Sequence, residues 1–211
     1  MKNVLIVRAN NRPDGISTKM YEIFSSEIAK NENLNVSTFD VFKENIPHFG
    51  QDLFNAFGKL QNGEELNELE ASSIAACQKA QAAFKAADII VYAFPLWNLS
   101  IPGALKSFLD YVTMAGFTFK YNEQGQLVHL MSEKKVIILN ARGSIFTGNG
   151  REGLEMAASL VKNIVTGLHG MEVIEEVIIE GHAHRNLADE VLANGFKRVE
   201  EAAAKLVAVY A

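Results

Sequence analysis

Two hydroxyl side chains stand at a predicted helix start, just after the first apolar run of the chain, in the segment NNRPDGIST (10–18). Unpaired backbone N–H groups and the helix dipole make a helix N-terminus a site for anions, and Ser17 and Thr18 would add donors. The G-x-x-x-x-G-K-[ST] pattern of a triphosphate-binding loop is absent, so a single phosphate is the expected ligand. The alternative is that Ser17 only caps the helix.

An indole and an amide follow the third apolar run, in the segment AFPLWNLSIPGALKSFLDYV (93–112). Loops usually consist of small polar residues, yet Trp97 and Asn98 come directly after a strand end. This pattern predicts a flat ledge for a planar ligand, with the backbone N–H groups between Pro95 and Pro102 free to bind ring heteroatoms. The alternative is that Trp97 only packs on a neighbouring hairpin.

A glycine turn, Ala141-Arg142-Gly143-Ser144, follows the fourth apolar run. Gly143 permits close approach of the backbone to a ligand. A phosphate pocket, a planar ledge and a glycine turn together suit a phosphorylated aromatic ring better than any of the three does alone.

Short β-branched runs alternate with helical patterns along the whole chain. The predicted strands span 2–9, 33–42, 88–94, 135–141 and 171–180. Helices are predicted after Ser17, over 64–87, from about 102, over 151–168 and near the C-terminus, with a β-hairpin at 116–130 and an irregular segment at 43–63. The alternation predicts one α/β domain over 1–211, a doubly wound five-stranded parallel sheet with helices on both faces. Ligands bind such sheets beyond the carboxyl ends of the strands, so the three loops should meet in one crevice.

The composition excludes several classes of protein. Hydrophobic residues make up 48% and charged residues 21%, which is typical of globular chains and excludes wholesale disorder. The net charge of −5 and the lack of a basic cluster argue against nucleic-acid binding. No apolar run is long enough for a membrane span or a signal peptide. Cys77 is the only cysteine, so no intrachain disulfide can form, and a cytoplasmic protein is expected.

Three further patterns are weaker signals. GNGREG (148–153) matches G-x-G-x-x-G, but residues 141–147 separate it from the preceding strand, so a flexible loop is expected there. His182 and His184 supply too few ligands for a metal site and are expected at the surface, so no metal is predicted. Cys77 has no basic neighbour in the sequence and is expected to be structural.

The chain resembles the FMN-dependent NADH azoreductases, which are also NADH:quinone oxidoreductases, within the flavodoxin-like superfamily. The resemblance covers essentially the whole chain and is carried by VLIVRANNRP, FPLWNLSIPGALKSFLDYV, GFTFKY, NARGS and EVIIEGH. The P-[ML]-[YW]-N segment followed by I-P-x-x-L-K-x-[FY]-[LI]-D is the most specific of these. The resemblance implies a flavodoxin-like fold with strand order 2-1-3-4-5, bound FMN, and NADH or NADPH as electron donor.

The resemblance also implies roles for particular residues. The phosphate of FMN would be held by Asn10, Gly15, Ile16 and Ser17; the flavin ring by Pro95, Leu96, Trp97, Asn98 and Leu99; and the pyrimidine side by Ala141, Arg142, Gly143 and Ser144. Phe117, Phe119 and Tyr121 would wall the substrate space, although packing within the hairpin explains these rings equally well. No side chain is implied as a catalytic group, because the flavin carries the chemistry.

The implied reaction is ping-pong. Hydride passes from NADH to FMN, and a quinone or an azo compound then takes the place of the nicotinamide and accepts two electrons. An azo bond needs two such rounds and gives two amines. A homodimer with FMN sites near its interface is also implied. Phe49, Phe54 and Phe57 would then meet the second subunit, and the alternative is that they cover the edge of the sheet. A flavodoxin-type electron carrier and a non-catalytic flavin- or nucleotide-binding regulator remain as alternatives.

Four positions depart from the family pattern. Relatives often have Ser-x-Ser where this chain has Gly15-Ile16-Ser17, and Ser-Arg-Gly-Gly where it has Ala141-Arg142-Gly143-Ser144, so the hydroxyl lost at Ala141 is partly replaced by that of Ser144. Some carry a histidine at the position of Phe146, so no cationic side chain near flavin N1 is implied. The missing hydroxyl groups predict weaker retention of FMN than in Ser-rich relatives.

Overall fold

A five-stranded parallel sheet forms the centre of the molecule, as seen in a computed structural model that describes residues 1–211. Its strands are β1 (Lys2–Arg8), β2 (Leu34–Asp40), β3 (Ile89–Pro95), β6 (Lys135–Arg142) and β7 (Glu172–Glu180), and a separate antiparallel ribbon consists of β4 (Phe119–Tyr121) and β5 (Leu127–His129). The order β2-β1-β3-β6-β7 is 2-1-3-4-5 when only the strands of the large sheet are numbered. The predicted fold class and strand order are therefore confirmed.

Helices cover both faces of this sheet. They are α1 (Ile16–Ile28), α2 (Gln51–Asn62), α3 (Glu68–Ala86), α4 (Gly103–Val112), α5 (Ala158–Asn163) and α6 (Ala188–Val209). α1 and α6 pack on one face, and the other four helices pack on the opposite face. β3 lies between them and is buried along its whole length, which explains why its sequence is apolar at every position. None of the helices combines the length and the hydropathy of a membrane span.

The prediction that residues 43–63 are irregular is wrong, because α2 occupies most of this segment. Leu53 and Ala56, three positions apart, are buried on the same face of the helix. Phe54 lies on the outer face and is 54% exposed, whereas Phe57 packs partly on the core. The regular burial of Leu53 and Ala56 shows that α2 is an amphipathic surface helix.

The helix predicted over 151–168 is interrupted. A 3-10 turn spans Glu152–Leu154, α5 begins only at Ala158, and a π-helical turn follows over Ile164–Leu168. The Glu155 carboxylate accepts hydrogen bonds from the backbone N–H of Ala157 at 3.0 Å and of Ala158 at 2.8 Å. A carboxylate that satisfies free N–H groups in this way stabilises a helix start, so α5 begins just after Glu155.

Candidate functional site

An open cleft lies where β1, β3 and β6 end. It is lined by Asn10, Arg12, Gly15, Ile16, Ser17, Pro95, Leu96, Trp97, Ala141, Gly143 and His182. All of these except Arg12 and His182 belong to the predicted cofactor-binding set, so the three loops converge as expected. The cavity volume of about 210 Å³ is below the roughly 300–1,000 Å³ of a pocket that encloses a whole ligand. The cleft can therefore hold part of a flat ligand and leave the rest of it accessible.

A second cavity, of about 280 Å³, lies between β7 and α6. Most of its lining is aliphatic, as at Ile137, Ile174 and Leu206. It includes Lys135, the first residue of β6, and so lies at the amino ends of the strands, away from the cleft. Ligands of parallel α/β sheets bind at the carboxyl ends, so we place the functional site in the cleft.

The start of α1 supplies the cleft with free donors. Gly15 is the residue before the helix, and no side chain caps it, so the alternative that Ser17 caps α1 is wrong. The first N–H bonded within the helix is that of Lys19, which donates to the Gly15 carbonyl oxygen at 3.1 Å. The N–H groups of Ile16, Ser17 and Thr18 therefore have no backbone partner. With no acidic residue in the first turn, this end of α1 favours an anion.

Asn10 organises the loop before α1. Its side chain is buried; Nδ2 donates to Ser17 Oγ at 2.8 Å, and Oδ1 accepts from the Arg12 N–H at 3.0 Å. Because the amide donates to the Ser17 oxygen, the hydroxyl proton of Ser17 is left to donate to a ligand. A Cβ atom on Gly15 would lie 2.2 Å from Asn10 Nδ2, so the loop has room only for glycine there unless Asn10 moves.

A strained turn follows β3. Trp97 and Ser100 exchange two backbone hydrogen bonds, of 2.9 and 3.0 Å, and thereby close the turn. The two residues between them, Asn98 and Leu99, have φ angles of 49° and 69°, which non-glycine residues rarely adopt. The Leu99 carbonyl oxygen accepts from the Met156 N–H at 3.0 Å, so the loop before α5 holds the turn in place.

Three of the six backbone N–H groups between the prolines, those of Leu96, Trp97 and Ser100, already have backbone partners, so the prediction that all of them are free is wrong. The Leu96 N–H donates to the Ala141 carbonyl oxygen at 2.8 Å, and that of Trp97 is bonded within the turn. The N–H groups of Asn98 and Leu99 have no backbone partner. The loop can therefore offer a ligand two donors at the strained positions.

The Trp97 ring lies half-buried beside the cleft. Its aromatic neighbour is Phe42, which follows β2, with ring centroids 6.1 Å apart and planes tilted by 54°. The alternative that Trp97 packs only on the hairpin is therefore wrong. Its position in the cleft wall matches the predicted flat ledge.

The tip of β6 faces the cleft with alternate residues. Ala141 and Gly143 line it, whereas Arg142 lies on the opposite face of the strand, as the period of two requires. The Arg142 guanidinium is buried, lies 3.6 Å from the Glu180 carboxylate, and packs 5.9 Å from the ring centroid of Phe146. The side chain of Arg142 thus packs on the side of the β6 tip that faces away from the cleft. Asn98, Leu99 and Ser144 also lie outside the cleft lining.

His182, expected at the surface, lines the cleft instead. The Gly181 N–H donates to the Arg142 carbonyl oxygen at 3.1 Å and the Ala183 N–H to that of Gly143 at 3.0 Å, which holds the His182 ring beside Gly143. Burial lowers the pKa of the imidazole and favours its neutral form. The sequence position of His182 could have indicated this, because the residue follows β7, whose carboxyl end lies at the same edge of the sheet.

The aromatic residues predicted to wall a substrate space lie outside the cleft lining. Phe117 packs on Phe84 with ring centroids 6.2 Å apart. Phe119 meets Tyr121 edge to face at 5.9 Å, and Tyr121 is 61% exposed. The ribbon therefore presents an aromatic pair that a second molecule can reach.

Cys77 is a structural residue, as expected. It is buried in α3, and burial raises the pKa of its thiol to about 11. Because the thiolate is the nucleophilic form, the thiol is unreactive at neutral pH.

Comparison with known proteins identifies the family. The chain matches the family model described as "Flavodoxin-like fold" over residues 2–203. It is 38% identical over 209 residues to the FMN-dependent NADH:quinone oxidoreductase 1 of Bacillus subtilis (strain 168), a match that covers 97% of this chain and 100% of that protein. The structure superposes on the crystal structure of azoreductase from Bacillus anthracis str. Sterne with a TM-score of 0.88 and 38% identity, covering 97% of this chain and 100% of the other.

A third match contains a ligand. It is the FMN-dependent NADH-azoreductase from Bacillus anthracis str. Ames Ancestor in complex with FMN, with a TM-score of 0.86, 27% identity, and coverage of 98% of this chain and 100% of the other. Together with the cleft at the sheet's carboxyl edge, these full-length matches show that the chain belongs to the FMN-dependent NADH:quinone oxidoreductase and azoreductase family, within the flavodoxin-like fold.

Proposed function

We propose that this chain is an FMN-dependent NADH oxidoreductase that reduces quinones to hydroquinones and cleaves aromatic azo compounds to amines. One observation carries the proposal: an anion-binding helix start and an aromatic ledge share a cleft in a chain 38% identical to an FMN-dependent NADH:quinone oxidoreductase over 209 residues. When bound, FMN accepts two electrons from NADH and passes them to the acceptor. The protein supplies binding, orientation and electrostatics.

The residues of the cleft fit FMN at its phosphate end. The phosphate would be held by the free N–H groups of Ile16 and Ser17 and by the Ser17 hydroxyl, with Asn10 fixing that hydroxyl from behind. Arg12 adds a positive charge to the cleft wall. Gly15 leaves space where a Cβ atom would displace Asn10.

The opposite part of the cleft fits the flat ring. Pro95, Leu96 and Trp97 would support one side of it, and Ala141 and Gly143 at the tip of β6 would border the pyrimidine. Asn98 and Leu99 offer two backbone N–H donors next to Trp97. We keep Phe119 and Tyr121 as proposed walls of a substrate space, although neither lines the cleft of this chain; Tyr121, at 61% exposed, can be reached from solvent.

Gly15→Ala tests the phosphate end. The new Cβ atom would lie 2.2 Å from Asn10 Nδ2, so Asn10 must move and its hydrogen bond to Ser17 is lost. Since such a bond is worth about 1 kcal/mol, we expect FMN affinity, measured by quenching of flavin fluorescence, to fall about fivefold. Gly58→Ala is the matched control, because a Cβ atom there meets nothing within 4 Å. Equal affinities for the two variants would contradict this assignment.

The open cleft supports a ping-pong reaction, in which NADH and the acceptor use one face of the ring in turn. We expect the purified protein to be yellow, to lose its colour on anaerobic addition of NADH, and to regain it when a quinone is added. Initial rates should give parallel double-reciprocal lines. Intersecting lines would refute a single shared site. A colour that persists with NADH alone would indicate an electron carrier, and flavin binding without turnover of any quinone would indicate a regulator.

We also propose that the enzyme is a cytoplasmic homodimer. Phe54 and Leu60 on α2 are 54% and 50% exposed, and Met156, which binds the turn at Leu99, is 47% exposed. Exposed apolar side chains suit a subunit interface, where a second chain covers them. A free, buried thiol at Cys77 is compatible with the reducing cytoplasm.

A further inference from the structure

Arg12 and Asp14 form an ion pair on the loop that leads into α1. Arg12 Nε lies 3.2 Å from Asp14 Oδ1, and Arg12 Nη2 lies 2.9 Å from Asp14 Oδ2, so both carboxylate oxygens are engaged. The two side chains are 62% and 73% exposed. Arg12 lines the cleft, and Asp14 directly precedes Gly15, the residue before the helix. A negative charge therefore stands beside the donors that favour an anion.

The charges around this helix start are few. The first turn of α1 has no acidic residue, and Lys19, the next cation along the helix, lies 3.7 Å from the Glu22 carboxylate. His182, on the far wall, has a pKa lowered by burial, which favours its neutral form. Arg12 is thus the permanent positive charge of the cleft lining, and Asp14 neutralises it.

We propose that Asp14 competes with the phosphate of FMN for Arg12, and that this competition makes the cofactor exchangeable. The inference rests on the proposed function, because it assigns the phosphate to the start of α1. An exposed ion pair is only weakly favourable, so Arg12 can change partner readily. A phosphate carries about 1.5 to 2 negative charges and three acceptor oxygens, and it binds a guanidinium more strongly than one carboxylate does.

The competition acts on the phosphate and not on the flavin ring. Arg12 should favour FMN over riboflavin, and Asp14 should reduce that preference. The absence of a hydroxyl group at Gly15 already predicts weak retention of FMN. The negative charge of Asp14, which repels the phosphate, is a second cause of it.

Asp14→Asn tests the proposal in the full-length protein. Asparagine keeps an oxygen acceptor for Arg12 Nε but removes the negative charge. We expect the dissociation constant for FMN, measured by quenching of flavin fluorescence, to fall about threefold to tenfold. Removing one unit charge that lies several ångströms from the phosphate, in a partly aqueous medium, has an effect of this size. Arg12→Gln should raise that constant by a similar factor. Asp14→Asn should have a smaller effect in the Arg12→Gln background than alone.

Two controls make the outcome specific. Riboflavin affinity should change less than about twofold in every variant, because riboflavin has no phosphate to interact with either charge. Glu22→Gln makes the same change of charge further along α1, where screening should limit its effect on FMN to less than about twofold.

Tighter FMN binding by Asp14→Asn, with riboflavin unchanged, supports the competition. Unchanged or weaker FMN binding by a folded Asp14→Asn protein overturns it, and so does an equal gain for riboflavin. Failure of the unaltered protein to bind FMN is a different result, which overturns the proposed function itself.

Discussion

Replacing Trp97 with alanine should lower the affinity for FMN about tenfold to a hundredfold. The estimate follows from aromatic stacking on a planar heterocycle, which is worth about 1–3 kcal/mol per ring. Trp97 lines the cleft on a turn that its own backbone closes with Ser100. The ring is therefore already in position and is stabilised by Phe42 at 6.1 Å. Titration of the flavin-free protein with FMN measures the change.

The control for this prediction is Trp97→Phe, which keeps a flat ring and should retain affinity within about threefold. Riboflavin should lose as much affinity as FMN does in Trp97→Ala, because the indole supports the ring and not the phosphate. This separates Trp97 from Asp14, whose substitution should affect FMN alone. If Trp97→Ala binds FMN as tightly as the unaltered protein, the ledge is not the flavin site.

Acid should destabilise the fold through His169 by up to about 3 kcal/mol. The residue is fully buried after the π-helical turn; Nε2 lies 2.9 Å from Thr113 Oγ1, and Nδ1 has no partner. Burial lowers the pKa of the imidazole from 6.5 to about 4. Between these values the unfolded chain takes up a proton that the folded chain excludes. Stability is therefore fully present above pH 6.5 and falls as the pH drops toward 4, where the loss levels off.

His169→Gln tests this expectation, because glutamine can bond to Thr113 but cannot take up a proton. Denaturant unfolding at a series of pH values from 7 to 4 should show a shallower loss of stability in the variant. Carboxylates also titrate in this range, so the comparison must be with a second variant. His184→Gln, at an exposed histidine, should keep the slope of the unaltered protein. Equal slopes in all three proteins would show that His169 does not carry the acid sensitivity.

The strands could be predicted from the sequence because a strand that is buried on both faces of the sheet consists almost entirely of apolar residues. β3 is apolar at every position, and its end at Pro95 coincides with the last residue paired in the sheet. Two helices were harder to predict from the sequence. α2 presents Phe54 to solvent and includes Gly58, a poor helix former, and these two residues obscure the helical spacing of Leu53 and Ala56. α5 is short because Glu155 fixes its start, an effect that periodicity alone does not reveal.

The site could be predicted as a set of loops but not as a set of side chains. Strand pleating directs Ala141 into the cleft and Arg142 to the other face, a choice that depends on register. His182 enters the cleft because its neighbours are bonded to the β6 tip, a contact between residues some forty positions apart in the chain. Asparagine is one of the few non-glycine residues enriched at positive φ, so Asn98 is a weak signal of this turn, whereas nothing about leucine at position 99 indicates its backbone angle.

The turn at Asn98 and Leu99 has a consequence for how the holoprotein is made. Its hydrogen bonds, to Ser100 and Met156, are all within the chain, so the shape is complete before any cofactor arrives. We therefore expect the turn to keep its shape in the flavin-free chain, so that FMN can leave and bind again without refolding of this loop.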